Sequence, residues 1–154
     1  MSLLRRRSKD GDETRPADAV PQISDLNPAE AAWLDGLRGV LSDGDGALEP
    51  AMISNLFDEM LDDWLATPAA ERKDPNAVIN AIGVAVGDAV CARVPGARWA
   101  VVADDSGTDL AIVLPPGDTT IFPTSSVAKR WSDGERGWVP AFIDWVTGRL
   151  TELS

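Results

Sequence analysis

The segment from Asp74 to Arg93 constrains the fold more than any other part of the chain. Asp74-Pro75 is a helix start signal, and Val78, Ile79, Ile82, Val86 and Val90 follow at helical spacing to about residue 93. The remaining side chains are small. Ala77, Ala81, Ala85 and Ala89 recur every four residues, and Gly83 and Gly87 lie four apart on a neighbouring row. Glycine in a helix interior costs about 0.5–1 kcal/mol relative to alanine, so two of them predict tight packing that offsets the loss. The helix is built for close backbone approach, with little side-chain volume between it and its neighbours.

The rest of the chain is read around it. Its 154 residues suit a single domain. Residues 1–24 have few large apolar side chains and no periodicity, which predicts a disordered tail ahead of one α+β domain over residues 25–154. Asn27, Pro28 and Glu30 form a helix start with a capping box. The helix runs to about Leu41 with an apolar stripe of Trp33, Leu37, Val40 and Leu41. Pro50 opens a second helix, apolar along Ile53, Leu56, Phe57, Met60, Leu61, Trp64 and Leu65 and acidic at Asp58, Glu59, Asp62 and Asp63.

After Pro95-Gly96 the period changes to that of strands. Residues 98–103, 109–114 and 119–122 read as a three-stranded antiparallel β-meander, joined by a glycine-containing hairpin and a Pro115-Pro116-Gly117-Asp118 turn. Strand residues are apolar on both alternations, so both sheet faces are expected to be at least partly covered, most simply by helices. A fourth helix covers 125 to about 132. A fifth opens at Pro140, with Trp138, Phe142, Trp145 and Arg149 on one row and Ile143, Val146 and Leu150 on the next. The expected architecture is α+β: a helix-rich N-terminal half packed on the meander, with two C-terminal helices on the sheet or its edge.

Composition removes whole classes of chemistry. The chain has no histidine and no tyrosine, which excludes imidazole acid/base catalysis, His-dependent nucleophiles and imidazole metal sites. A single cysteine, Cys91, leaves no intrachain disulfide and reads as a small buried hydrophobe. The net charge is -11; five basic against three acidic side chains in residues 1–15 leave -13 on residues 16–154. Such a surface argues against nucleic acid as a partner, and Arg5-Arg6-Arg7 alone is weak glue for an anionic membrane. The absence of a long apolar run, and of a signal peptide in MSLL, leads to the expectation of a cytoplasmic protein with no membrane association.

Each motif with chemical potential has a competing structural explanation. Asp43-Gly44-Asp45-Gly46 fails as a calcium loop, because setting Gly46 at position 6 puts Leu41 and Met52 at ligand positions 1 and 12. Asp104, Asp105 and Asp109 surround a hairpin turn, where aspartate is also what turns require. Asp88 follows Gly87 in the small-residue helix, and a carboxylate there needs either solvent or a partner. Lys129-Arg130-Trp131 joins positive charge to an aromatic ring and could hold an anion or a phosphopeptide, although cations near a helix C-terminus also suit the dipole. Five of the six tryptophans, Trp33, Trp64, Trp99, Trp138 and Trp145, fall on predicted apolar faces and are expected in the core.

The order of Gly83 to Asp88, Arg98-Trp99-Ala100-Val101-Val102, Gly107 to Ala111, Phe122-Pro123 and Val127-Ala128-Lys129-Arg130-Trp131 resembles a bacterial family of uncharacterised proteins, domain of unknown function 3806, over residues 76–150. That resemblance implies an α+β domain and no established activity, so it transfers no functional residues. The leading functional expectation is a non-enzymatic protein-interaction or regulatory domain with an unidentified protein partner, no cofactor and no metal. The alternatives are a carboxylate-dependent enzyme, with or without Mg²⁺, built on Asp88, Asp104, Asp105 or Asp109, and an anion reader built on Lys129, Arg130 and Trp131.

Overall fold

The computed structural model describes residues 22–41, 46–105, 107–114 and 119–153, the last five by their backbone only. Residues 1–21, the Asp43-Gly44-Asp45 loop, the Pro115 to Asp118 turn and the side chains of Arg149 and Leu150 lie outside the described residues. The elements are β1 (Gln22–Ser24), α1 (Pro28–Leu41), α2 (Pro50–Ala66), a 3₁₀ turn (Ala69–Glu71), α3 (Asn76–Arg93), β2 (Arg98–Asp104), β3 (Gly107–Leu114), β4 (Thr119–Ile121), α4 (Pro123–Asp133) and α5 (Val139–Leu153).

The sheet is antiparallel throughout, in the order β1-β2-β3-β4. Among the described residues it has four strands rather than the expected three. Gln22–Ser24, read from the sequence as the end of the tail, pair with Val101–Ala103 of β2. Three residues with one large apolar side chain carry no strand period of their own; the partner strand supplies the hydrogen bonds that order them. At the other edge β4 pairs with Ile112–Leu114.

Helix α3 lies at the centre, with ten of its residues from Ile79 to Val90 buried. Both glycines mark close approaches. A β-carbon on Gly83 would lie 2.8 Å from the Cα of Thr124 in the first turn of α4, and one on Gly87 would lie 2.7 Å from Cη2 of Trp99 on β2. The small-residue rows therefore seat α4 on one side of α3 and the sheet on another.

Two apolar clusters surround α3. The larger joins Phe57 and Leu61 of α2, Ile82 and Val86 of α3, Val127 and Trp131 of α4 and Ile143 of α5, and reaches Ile112 and Leu114 of the sheet. The smaller joins Leu34 of α1, Val84 of α3, Val101 and Leu110, with Trp99 bordering both. Here the expected α1 stripe needs correction. Leu34 is the buried residue, flanked by Trp33 and Leu37, whereas Val40 is 61% exposed because it turns away from the contact with α3 and the sheet.

The C-terminal helices pack chiefly on α3 and α2 rather than on the sheet. Helix α4 begins at Pro123, two residues earlier than expected, with Pro123 itself buried. Trp138, just ahead of α5, and Val139, Ile143 and Val146 on it are the core-facing residues. Trp145, expected in the core, is 59% exposed on the flank of that row, while Trp131, the sixth tryptophan, is buried.

The capping box at α1 forms in both directions. The Asn27 amide donates to Glu30 Oε1 and the Glu30 amide to Asn27 Oδ1, each at 2.8 Å. At α3, the Asn76 amide donates to Asp74 Oδ1 at 2.9 Å.

The glycines of α1 and α3 separate propensity from packing. Gly36→Ala, with nothing within 4 Å of the added carbon, is expected to stabilise the chain by about 0.5–1 kcal/mol. Gly83→Ala brings the same propensity but drives a methyl group into the α4 backbone, for a net loss of about 1–3 kcal/mol. Denaturant titrations of the two variants will show opposite signs.

Candidate functional site

Asp88 has the partner that a semi-buried carboxylate on α3 requires. Its oxygens accept from Arg38 of α1 in a two-pronged pair, Nε to Oδ2 at 2.8 Å and Nη2 to Oδ1 at 2.9 Å, and Trp99 Nε1 of β2 donates to Oδ1 at 3.0 Å. Arg38 also donates to Asp35 at 2.7 Å. Hydrogen bonding to Asp88 raises the Arg38 pKa and keeps the guanidinium charged. With three donors satisfied across three elements, the carboxylate works as a clamp between α1, α3 and β2.

The other three candidate carboxylates lie elsewhere. Side chains alternate along β2 and β3, so Asp104 and Asp109, opposite Gly107 and Val102, point to the sheet face away from Trp99. Asp109 is 3% exposed, and its Oδ1 accepts from the Leu110 amide at 3.0 Å; both it and Asp104 have further partners. Asp105 is exposed in the turn. The structure thus places Asp88 on one side of the sheet and Asp104 and Asp109 on the other. Among the described residues, no three acidic or cysteine side chains gather as a metal cluster.

Lys129, Arg130 and Trp131 point in different directions. Lys129 is exposed and Trp131 is core. The Arg130 guanidinium lies over two rings, 5.2 Å from the centroid of Trp138 and 5.3 Å from that of Phe142. It belongs to an aromatic group in which Phe57 meets Trp131 edge-on at 5.6 Å and Trp138 edge-on at 5.4 Å. Arg130 Nε, Trp131 Nε1 and Trp138 Nε1 are buried with no hydrogen-bond acceptor. Cation–π attraction, worth about 0.5–2 kcal/mol, therefore holds the charge of Arg130 among rings.

Beside this aromatic group an open groove of about 470 Å³ runs between the end of α2, the start of α3 and the end of α4. Trp64, Ile79, Ala128 and Trp131 line it together with Leu65 and Pro75, and Ser132, Asp133 and Gly134 form one lip. The floor is fixed. Trp64 Nε1 donates to the Lys73 carbonyl at 2.8 Å, the ring packs against Trp131 at 5.7 Å, and Arg72 covers it at 4.8 Å. Leu65 is 41% exposed at the mouth. Sequence reasoning named Trp64, Leu65, Ile79 and Trp131 individually, but the gap between three helix ends is tertiary. The only hint was an α2 stripe that extends one apolar residue past Trp64.

A family model described as Domain of unknown function (DUF3806) matches residues 59–142, from the second half of α2 into the first turn of α5. The match starts earlier and ends earlier than the expected 76–150, and it contains every residue lining the groove. Arg38 lies outside it. No curated protein and no solved structure matches the chain.

Two predictions follow from the Asp88 clamp. Asp88→Ala strands both Arg38 and the Trp99 indole and is expected to cost about 2 kcal/mol, whereas Arg38→Ala, whose side chain is 40% exposed and screened by solvent, costs about 1 kcal/mol. Urea melts will rank them. Burial, reinforced by the Asp88 carboxylate, pushes the Cys91 thiol from 9.0 up to about 11, while Arg38 pulls the other way. A raised thiol pKa favours the folded state below the unfolded value and loses that advantage as pH rises through the folded one. Cys91 alkylation in the folded chain should therefore lag that in the unfolded chain between pH 9 and 11, and stability should fall over the same window.

Proposed function

We propose that this chain, which belongs to the domain of unknown function 3806 family, is a protein-interaction domain rather than an enzyme, and that the groove between α2, α3 and α4 receives an apolar side chain of its partner. The observation that carries this reading is the open aromatic-floored groove, with Leu65 exposed at its mouth. Its volume falls in the range of about 300–1,000 Å³ common to binding clefts. The hydrogen bond from Trp64 and its edge contact with Trp131 preorganise the floor, so little ordering entropy is lost on binding.

The chemistry of the partner follows from the surroundings. Asp133 stands at the lip, and the domain carries the bulk of the negative charge. A segment with one aromatic or branched aliphatic anchor flanked by lysine or arginine fits both features, and opposite charge speeds the encounter. A two-carboxylate mechanism finds less support, because Asp88 is committed to Arg38 and Trp99 on the opposite side of the sheet from Asp104 and Asp109.

Screening the full chain against displayed peptides, followed by amide shift mapping, tests the reading. Peptides with an apolar anchor and basic flanks should perturb Leu65, Ile79 and Ser132. Leu65→Glu, or Ser132→Trp to fill the groove, should weaken them about tenfold or more. Shifts centred elsewhere, or unchanged affinity in both folded variants, would refute the groove as the binding surface.

A further inference from the structure

A groove bounded by the ends of separate helices keeps its shape only if those ends are tied together. The end of α2 contributes Trp64 and Leu65, and the end of α4 contributes the lip of Ser132, Asp133 and Gly134. Arg136, in the loop that leaves α4, reaches both. Its Nε donates to Asp62 Oδ1 of α2 at 2.7 Å, Nη2 donates to the same oxygen, and Nη1 donates to the Gly134 carbonyl at 3.1 Å. One turn earlier on α2, Asp58 Oδ1 accepts from the Gly137 amide at 3.1 Å. All three guanidinium nitrogens are engaged, two on α2 and one on a residue of the groove lip.

We propose that Arg136 is a positioning residue for the groove: with Asp62 it forms a latch that sets the lip against the end of α2, and a partner binds the groove with the latch closed. The inference rests on the groove reading above and adds the element that controls it. Trp64 lies two residues beyond Asp62 and is itself anchored on the Lys73 carbonyl, so the latch sets the lip relative to a fixed floor. By linkage, a partner that needs the closed lip tightens the latch by the same factor by which the latch tightens the partner.

The backbone around Arg136 is built to aim it. Helix α4 ends in a Schellman motif, in which the Gly134 amide donates to the Trp131 carbonyl at 3.2 Å and the Glu135 amide to that of Arg130 at 3.0 Å, with Gly134 at φ +68°. Gly137 takes a second left-handed turn at φ +67°, and Trp138, 5% exposed, then seats the chain edge-on against Phe57 of α2. Arg136 is held between these two fixed points. The ion pair itself adds little to the stability of the fold, since its side chains are 45% and 57% exposed. What sets it apart from an ordinary surface pair is its span, from a carboxylate 74 residues away to the carbonyl of a groove residue. Asp58 and Asp62, one turn apart on α2, thus give part of the acidic face of that helix a definite task.

Amide spectra and peptide titrations of the full chain test the proposal. Without any peptide, Asp62→Ala should shift the amide signals of Ser132 and Gly134 and speed exchange of the Gly137 amide, although the substitution lies on another helix. With the capped peptide Lys-Lys-Phe-Lys-Lys as probe, Asp62→Ala and Arg136→Ala should each weaken binding about threefold to fivefold, and the double variant should be no weaker than the worse single one. Glu59→Ala removes the same charge from α2 outside the latch and should change affinity less than about twofold. Lip signals that stay in place in Asp62→Ala would overturn the latch. An equal loss of affinity in Glu59→Ala would overturn its role in binding, because charge alone would then account for the effect. Failure of the parent chain to bind the peptide would overturn the groove reading and with it that role, while the lip signals would still decide whether Arg136 and Asp62 set the lip.

Discussion

The absence of a side chain at two turns of one helix organises this protein. At Gly83 the backbone of α4 comes within reach of a β-carbon, and at Gly87 the Trp99 ring does the same from the sheet. Each glycine weakens α3 as an isolated helix, and the neighbours repay that loss by packing at distances no larger residue permits. The alanines at 81, 85 and 89 extend the same logic, since all three are buried. Helix α3 thus serves as the post on which α1, α2, α4, α5 and the sheet are hung.

The polar contacts depend on that geometry. Asp88 follows Gly87, so the approach that brings the Trp99 ring onto the glycine also delivers its indole N–H to the carboxylate. Arg38 then closes the clamp from α1, fifty residues away in sequence. A carboxylate that invites a catalytic reading is instead committed to holding three elements together. Lys129-Arg130-Trp131 behaves comparably: helical rotation sends its members outward, over a pair of rings and into the core.

The groove lies where helices end. The groove exists because α2, α3 and α4 converge with Trp64 and Trp131 as a fixed floor and with small residues, Ala128 and Gly134, at the rim. It sits entirely inside the matched family region, whereas β1, α1 and Arg38 lie outside it. The matched region therefore contains the whole groove, and the N-terminal part of the chain supplies bracing and an edge strand.

Much of this was legible in the sequence because it is local. The capping box of Asn27 and Glu30, the start of α2 at Pro50, the spans of α3 and of the β2–β3 hairpin, and the tight packing around Gly83 and Gly87 all follow from residue type and period. The missing histidine and tyrosine likewise remove whole chemistries without any structure. Other features depend on which residues meet across distance. β1 is ordered by β2, and Leu34 rather than Val40 is buried because of where α1 crosses α3 and the sheet. Trp131 and Trp145 exchange their expected environments through the packing of two helices on α2 and α3. The sequence by itself determined the elements and the central small-residue helix, since these rest on backbone preference and spacing along the chain. Only the tertiary structure decided the partner of Asp88, the separation of the carboxylates across the sheet and the groove, since these depend on side chains meeting from elements far apart in the chain.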